Sequence, residues 1–218
     1  MSPEGRDAWD WDAHWAANPP PRDQVLGGRR MARRISRFIK RKRLDVRRLA
    51  DVGCGPAITL FSLAPRMPGC ELDGFDSSRT VLRLDRLKAR REGLRNLRFR
   101  RAELPDLEIE DEYDIVICIA TLHYVEDVRK ALRQLYRIVR PGGHLIFNYP
   151  NRVQQAATRR EARTDPIVGR RFALVLSGAN LLTHGVIADV LGRRPRSFWR
   201  EVDEPPRWLN PCVVVRKR

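Results

Sequence analysis

The segment Asp51-Val52-Gly53-Cys54-Gly55-Pro56-Ala57 decides the fold. It joins a short predicted strand, Leu49 to Gly53, to a predicted helix, Ala57 to Ala64, which Pro65 ends. A glycine-rich turn between a strand and a helix lets a ligand approach the backbone closely at a helix N-terminus. Two glycines alone are also found in turns that serve only packing, so the flanking sequence must distinguish the two interpretations.

Strands and helices alternate downstream of this turn. The predicted strands are Glu71 to Asp76, Leu97 to Arg101, Tyr113 to Ala120 and His144 to Tyr149. The predicted helices are Ser78 to Glu92, with Gly93 as its C-cap, and Asp127 to Val139, which Pro141-Gly142-Gly143 stops. The run from Tyr113 is almost entirely apolar, as expected of a parallel strand buried on both faces. This alternation predicts an α/β fold with a doubly wound, mainly parallel sheet.

The two ends of the chain depart from this rhythm. Residues 1–22 are predicted to be irregular, and a helix is predicted from Asp23 to Arg43. Residues 151–192 look helical, with breaks near Pro166 and Gly178. Two β-like runs follow, Ser197 to Val202 and Cys212 to Val215, and their short proline-rich linker predicts antiparallel pairing.

An acidic residue ends the second predicted strand. Asp76 lies 21 residues after Gly55, and a carboxylate at that position can accept hydrogen bonds from ribose hydroxyls. Both features fall at the carboxyl ends of neighbouring parallel strands, where open α/β sheets bind ligands. The alternative is that Asp76 caps the next helix, a role for which Ser77 or Ser78 is equally suited.

Two cofactor classes use this geometry. A nicotinamide site would show G-x-G-x-x-G, but Ile58 occupies the last position, and little chain is left for a substrate domain. Over about residues 45–150 the sequence resembles the class I S-adenosylmethionine-dependent methyltransferases. The resemblance rests on a near match to D-x-G-x-G-x-G at Asp51 to Ala57, on the acidic residues Asp76 and Glu103, on the fourth strand, and on the Pro-Gly-Gly turn. The family's third glycine is Ala57 here, and we expect tolerance because Pro56 suits the first turn of a helix.

The resemblance implies a seven-stranded sheet with an antiparallel last strand and S-adenosyl-L-methionine as the cofactor. It places Gly53 and Gly55 near the methionine part, with Asp51 supporting the loop, Asp76 on the ribose and Glu103 on the adenine amine. Ile119 and Ala120 would line the cleft. The candidate cofactor-binding residues are Asp51, Gly53, Cys54, Gly55, Asp76, Ser77, Ala102, Glu103 and Ile119. We expect one domain over 1–218: an N-terminal lid and basic helix (1–44), a cofactor-binding core (45–150), and a helical insertion with the final strands (151–218).

His123 is the candidate general base, because it lies just past the fourth strand at the expected cleft mouth. A packing or hydrogen-bonding role is the favoured alternative, since the family often has His there whatever the substrate. Tyr124 is expected to be a wall residue. His14, among Trp9, Trp11 and Trp15, is expected either to border a substrate lid or to cap the core.

The fourth strand narrows the chemistry. It is followed by Ile119-Ala120-Thr121-Leu122, not by the N/D-P-P-Y/F loop or the Pro-Cys nucleophile of base-modifying methyltransferases. A small-molecule acceptor, methylated at oxygen, nitrogen or carbon, is therefore the favoured prediction. The alternatives are methylation of RNA or protein, and a non-catalytic module on the same fold that binds nucleic acid or a partner.

The charge of the chain keeps the RNA alternative open. The 218 residues carry a net charge of +16, with 43 Lys or Arg against 27 Asp or Glu. On the predicted helix, Arg30, Arg34, Arg37 and Arg41 form a stripe that could face solvent and bind a polyanion, while an apolar stripe with Met31, Ile35, Phe38 and Ile39 faces the core. Compositional drift toward Arg is the other explanation.

The spacing of the cysteines and the length of the apolar runs indicate where in the cell the protein is expected. The four cysteines lie far apart without a C-x-x-C pair, so neither a zinc site nor a disulfide framework is expected, and no metal is predicted. The N-terminus has no apolar region like that of a secretory signal, and Ile115 to Ala120 is far too short to span a membrane. These features predict a cytoplasmic protein.

Overall fold

The computed structural model describes residues 9–205 and 211–218, and it contains a single seven-stranded sheet. The strands are β1 (Arg48–Val52), β2 (Glu71–Asp76), β3 (Leu97–Arg101), β4 (Tyr113–Cys118), β5 (Val139–Asn148), β6 (Arg196–Ser197) and β7 (Cys212–Arg216). Their order is β3-β2-β1-β4-β5-β7-β6. Strands β1 to β5 pair in parallel, and β7 runs antiparallel to both β5 and β6. The predicted fold class is confirmed.

Helices cover both faces of the sheet. They are α1 (Trp11–Ala17), α2 (Arg22–Lys42), α3 (Ile58–Leu63), α4 (Arg79–Arg91), α5 (Val128–Arg137), α6 (Arg152–Glu161), α7 (Pro166–Arg171), α8 (Ala173–Ser177), α9 (His184–Leu191) and α10 (Phe198–Glu201). Helices α2, α3, α4 and α10 pack on one face, and α5 and α9 pack on the other. The predicted breaks near Pro166 and Gly178 coincide with the start of α7 and the left-handed cap that ends α8.

Several basic side chains of helix α2 pair with acidic or carbonyl groups of the same chain. Met31, Ile35 and Phe38 are buried, as the apolar stripe predicts. The opposite stripe is not simply solvated: Arg34 contacts Glu204 at 2.7 Å, and Arg41 pairs with Asp203. Arg37 donates to the Val202 carbonyl at 2.8 Å, and Lys42 pairs with the buried Glu201. Arg37 and Arg41 remain exposed, as predicted, whereas the Arg34 side chain is only 11% exposed. The sequence did not indicate that an acidic segment distant along the chain would fold against this stripe and pair with it.

The N-terminal prediction of irregular structure was wrong for residues 11–17. They form α1, whose N-cap Asp10 accepts a hydrogen bond from Ala13 N at 2.9 Å. Asn18 ends the helix in an extended conformation before the proline run. Helix α1 has no buried residue, so hydrophobic periodicity could not have indicated it.

Two strand boundaries also differ from the prediction. Phe198, Trp199 and Val202 are all buried, and a strand cannot bury adjacent residues on one face, so the run after Ser197 becomes α10. The Pro141-Gly142-Gly143 segment lies within β5 and does not end α5, which stops at Arg137. Gly142 N donates to Lys217 O at 2.9 Å, and this bond extends the ladder beyond β7.

Residues 1–8, and 206–210 of the linker before β7, lie outside the described residues. Among the residues that are described, no helix is both long and apolar enough to cross a bilayer.

Candidate functional site

The turn after β1 is anchored to the end of β2. The amides of Gly53 and Cys54 both donate to the Phe75 carbonyl, at 2.7 and 2.9 Å. Gly53 has φ +75° and Gly55 has φ +49°, in the left-handed region that favours glycine. A Cβ at Gly53 would lie 2.2 Å from Thr121 Oγ1. The first glycine is therefore required both by its backbone conformation and by the close approach of the segment after β4.

Ala57 shows why related turns use a third glycine. It is the N-cap of α3, fully buried, with φ +45°. A left-handed conformation costs a non-glycine residue roughly 1–2 kcal/mol. Helix α3 begins at Ile58, one residue later than predicted, so Pro56 precedes the helix and does not lie in its first turn. The turn thus accommodates the methyl group of Ala57 only with backbone strain at this residue, which the sequence alone did not reveal.

Asp76 lies at the point where this turn meets β2. Its Oδ2 accepts from Gly55 N and its Oδ1 from Ser78 N, each at 2.9 Å. Burial raises the pKa of Asp76, and these backbone hydrogen bonds oppose the increase. The N-cap of α4 is Ser78, whose hydroxyl accepts from Val81 N at 3.2 Å. The helix-cap explanation for Asp76 is wrong, and its carboxylate is positioned by the glycine turn instead.

Asp51 lies below the turn, on β1, and is 5% exposed. Burial, together with the negative charge of Asp76, raises the pKa of Asp51 to about 8. The raised pKa favours the protonated form of Asp51, which avoids a second negative charge beside Asp76.

The remaining candidate residues divide into two groups. Ala102 N donates to the Asp76 carbonyl at 3.2 Å, so Ala102 lies beside the end of β2, next to the half-buried Ser77. Ile119 is half-buried against the core on the face of α2, α3 and α4. Glu103 is different, because its side chain is 65% exposed and lies 3.7 Å from Arg101 at the surface. The structure thus gathers the turn, Asp76, Ser77 and Ala102, and leaves the Glu103 carboxylate outside that group.

Helix α1 covers this edge of the sheet, and neither its helical form nor the contacts of Asp12 were predicted from the sequence. Asp12 Oδ1 accepts from Ser78 Oγ at 2.7 Å and from Thr80 N at 2.8 Å. Trp15 lies over Gly55, where a Cβ would approach its ring to 3.3 Å. The acidic residue of the N-terminal Trp-rich segment was the available signal, because a carboxylate near the N-terminus of α4 is favourable.

His123 is buried in the turn that follows β4. Its side chain is 3% exposed, and Nε2 lies 2.9 Å from Gln154 Oε1 on α6. Burial lowers the pKa of His123 to about 4, so the ring is neutral at pH 7. Asn180 Nδ2 donates to the Leu122 and His123 carbonyls at 3.0 and 2.8 Å, which fixes this turn. Neither Gln154 nor Asn180 was found by sequence reasoning, because both lie in the helical insertion.

An aromatic cluster lies between α1 and the insertion. Its members are Trp9, Trp11, His14, Trp15, His123, Tyr124 and Phe172. The ring of Tyr124 lies 4.8 Å from that of Trp11 and 5.3 Å from that of Phe172. Tyr124 and His14 are thus wall residues of one aromatic region. The geometry combines a glycine turn and a carboxylate on one side with an aromatic region on the other.

Comparison with known proteins identifies the core. Residues 50–147 match the family model described as a methyltransferase domain, and this range contains β1 to β4 and almost all of β5. Residues 50–147 are thus similar to a methyltransferase domain. The matched segment begins within β1 and includes the glycine turn, Asp76 and His123.

Curated relatives match this same core. A ubiquinone biosynthesis O-methyltransferase from Acinetobacter baumannii (strain ACICU) is 32% identical over 108 residues, which are 49% of this chain and 45% of the relative. One from Alkalilimnicola ehrlichii is 36% identical over 111 residues, 50% of this chain and 44% of the relative. The chain thus spans less than half the length of these relatives.

Solved structures share the fold over most of the chain. An O-methyltransferase family protein from Burkholderia thailandensis superposes with a TM-score of 0.67 at 17% identity, covering 96% of this chain and 63% of that protein. An S-adenosylmethionine-dependent methyltransferase from Clostridium acetobutylicum gives a TM-score of 0.63 at 12% identity, covering 85% of this chain and 90% of that protein. At this identity the likeness supports the fold, which includes the antiparallel strands outside the family match.

Proposed function

We propose that this chain is an enzyme that binds S-adenosyl-L-methionine at the glycine turn and Asp76, and transfers its methyl group to a small-molecule acceptor. The observation that carries the proposal is the buried Asp76 carboxylate, fixed by Gly55 N at the carboxyl end of β2 within a methyltransferase core. The resident groups suit the cofactor, because the turn lacks side chains where a ligand must approach and the carboxylate retains further acceptor capacity for hydroxyls.

Each residue of this edge has a role in the proposal. Gly53 and Gly55 give the methionine part access to the backbone, and Asp76 accepts the ribose hydroxyls. Ala102 and Ser77 border the nucleoside, and Ile119 contributes apolar wall. Asp51 supports the turn in its protonated form, which avoids a second negative charge beside Asp76. Glu103 would reach the adenine amine only after leaving Arg101.

The bound cofactor would supply an electrophilic methyl group, and the chain would hold the acceptor atom in line with it. An in-line displacement needs the acceptor atom aligned with the methyl group, and alignment of reactants alone contributes several kcal/mol to catalysis. His123 acts mainly by holding the turn after β4 in this proposal. An imidazole with a pKa near 4 is a weak base at pH 7, and general-base efficiency is best when the pKa lies near the working pH.

A small-molecule acceptor is favoured over RNA or protein because arginines of the basic helix α2 are paired with acidic residues of the same chain. Arg34 and Arg41 on α2 pair with Glu204 and Asp203, which neutralises part of the surface that a polyanion would need. The curated relatives are named as O-methyltransferases of ubiquinone biosynthesis, which makes oxygen the favoured acceptor atom. We also propose a cytoplasmic location. We further propose that residues 1–218 form one domain, whose N-terminal, cofactor-binding and C-terminal segments meet near residues 44 and 150.

Radiolabelled cofactor tests the activity and the acceptor class together. The purified chain is incubated with methyl-labelled S-adenosylmethionine and with separate metabolite, RNA and protein fractions of a cell extract. We expect label in the metabolite fraction only, and less label with the Asp76→Ala variant at the same cofactor concentration. Label in RNA or protein would replace the small-molecule proposal. Cofactor binding without label in any fraction would favour a non-catalytic module.

A further inference from the structure

The aromatic cluster contains buried polar atoms without partners. Trp9 Nε1, His123 Nδ1 and Arg171 Nε make no hydrogen bond to any described residue. Asn180 Oδ1, beside the His123 turn, is in the same condition. A buried polar atom left unsatisfied costs about 1–3 kcal/mol, and such atoms in one place need a physical explanation. A bound polar molecule would satisfy them.

Arg171 is the cation of this region. Its guanidinium carbon lies 5.0 Å from the centre of the Phe172 ring. Its positive charge lowers the pKa of His14, after the larger effect of desolvation, and counteracts the rise that burial gives the pKa of Tyr124. No ion pair joins Arg171 to an acidic residue within 9–205 or 211–218, whereas Arg34 and Arg48 of the same chain have such partners.

His123 offers a hydrogen-bond acceptor in the same region as the Arg171 cation. With Nε2 donating to Gln154 Oε1, the unpartnered Nδ1 carries the ring's lone pair and can accept from a hydroxyl. Phe172 is close to both groups, since its ring lies 6.5 Å from the His123 ring and next to the Arg171 guanidinium. A flat ligand between these side chains would meet one acceptor and one cation along an aromatic wall.

We propose that the methyl acceptor is a planar aromatic compound with a hydroxyl and an anionic oxygen, and that Arg171 binds the anionic oxygen while His123 Nδ1 orients the hydroxyl. Arginine is suited to this role because its planar donors match a carboxylate, and its charge also favours a phenolate. The proposal rests on the methyltransferase function proposed above. It assigns Arg171 a role in acceptor specificity that is separate from cofactor binding at Asp76.

The aromatic cluster can be reached from solvent. Its rings Trp11, His14, Tyr124 and Phe172 are each only partly buried. Helix α1 is held by the contact of Trp11 with Tyr124 and by the hydrogen bonds of Asp12 with Ser78 and Thr80. An acceptor can therefore approach the exposed edges of these rings without disruption of the sheet or its two cores.

The test is calorimetric binding of three catechols of equal ring size to the chain saturated with S-adenosylhomocysteine. The probes are 3,4-dihydroxybenzoate, catechol and 3,4-dihydroxybenzylamine, which carry negative, neutral and positive charge at pH 7. The variants are Arg171→Gln, Arg171→Lys, and the control Arg170→Gln, whose side chain is exposed on the same helix.

If the anionic oxygen is a carboxylate, the benzoate binds at least about tenfold more tightly than catechol, and the amine binds most weakly. Arg171→Gln removes this preference, Arg171→Lys retains part of it, and Arg170→Gln retains it fully. If the anionic oxygen is a phenolate, catechol binding strengthens as the pH rises toward the phenol pKa of about 10, and Arg171→Gln abolishes that increase.

Two results would overturn the proposal. One is equal affinity for the three probes at every pH, including the absence of binding by any of them. The other is a charge preference that survives Arg171→Gln. Both leave the function proposed above standing if S-adenosylhomocysteine still binds, whereas loss of that binding in the unmodified chain would count against the cofactor site itself.

Discussion

The candidate site has a cofactor side, around Asp76, and an acceptor side, around His123, and the two differ in how many of their buried polar groups are hydrogen-bonded. On the cofactor side, both carboxylate oxygens of Asp76 accept backbone amides, and Asp12 ties α1 to Ser78. On the acceptor side, His123, Arg171 and Asn180 each have a buried atom that no described residue satisfies. The first side is organised by the chain itself, whereas in our proposal a ligand completes the second side. A preformed carboxylate and a cluster of unsatisfied polar atoms can thus mark two parts of one site.

The largest expected effect lies on the organised side, at Gly53. In Gly53→Ala the new Cβ would overlap Thr121 at about 2.2 Å in a backbone conformation unfavourable for alanine. We expect a loss of roughly 3 kcal/mol or more in the free energy of unfolding, measured by urea denaturation. Gly69→Ala is the control, because a Cβ there meets nothing within 4 Å. Equal stability of the two variants would show that the turn can rearrange.

Asp85 extends this contrast, because its Oδ2 is also unpartnered but the residue lies on α4 and is not a member of the aromatic cluster. Burial raises the pKa of Asp85 to about 8. A folded-state pKa above the unfolded value makes stability fall as the pH rises from about 4 to about 8, by at most about 1.4 kcal/mol per pH unit.

The Asp85→Asn variant should remove this contribution to the pH dependence. Denaturation at pH 5, 6, 7 and 8 is the measurement, and affinity for S-adenosylhomocysteine and for the catechol probes should not change. An unchanged pH slope would mean that Asp85 remains ionised when folded. Lost ligand affinity would mean that an unpartnered carboxyl outside the cluster also belongs to the site.

His123 has the smallest expected effect on the reaction. If it mainly holds the turn after β4 and orients the acceptor, His123→Ala should reduce kcat less than about tenfold, because a general base typically contributes roughly 10²–10⁴-fold. Steady-state kinetics with the acceptor from the labelling screen is the measurement, and Gln154→Ala serves as the matched variant for the same hydrogen bond. A hundredfold fall in kcat with intact cofactor affinity would make His123 a base.

The organised side could be predicted from the sequence, and the incomplete side could not. The glycine turn and Asp76 follow from local spacing, since parallel strands bring their carboxyl ends together. β2 and β3 have the predicted boundaries because turn residues and apolar periodicity agree there. In contrast, the contacts of His123 with Gln154 and Phe172 join β4 to an insertion whose packing no local pattern specifies.

The basic helix gives the same lesson in terms of charge. Its apolar stripe was predictable because Met31, Ile35 and Phe38 recur at helical spacing. Its ion pairs were not, since Arg34 and Glu204 are 170 residues apart and only the folded chain brings them together. Charge composition alone therefore overstated the basic surface available to a polyanion.

Calorimetry of S-adenosylmethionine with the Asp76→Ala variant tests whether the chain binds the cofactor through this carboxylate. Loss of a carboxylate that accepts ribose hydroxyls should weaken affinity by roughly 10- to 150-fold, or about 1.5–3 kcal/mol. Asp127→Ala is the control, because the Asp127 carboxylate also accepts a backbone amide, that of Lys130, but lies outside the turn. We predict one bound cofactor per chain in the unmodified protein and the stated weakening only in Asp76→Ala. An unchanged affinity in a folded Asp76→Ala variant would contradict the account.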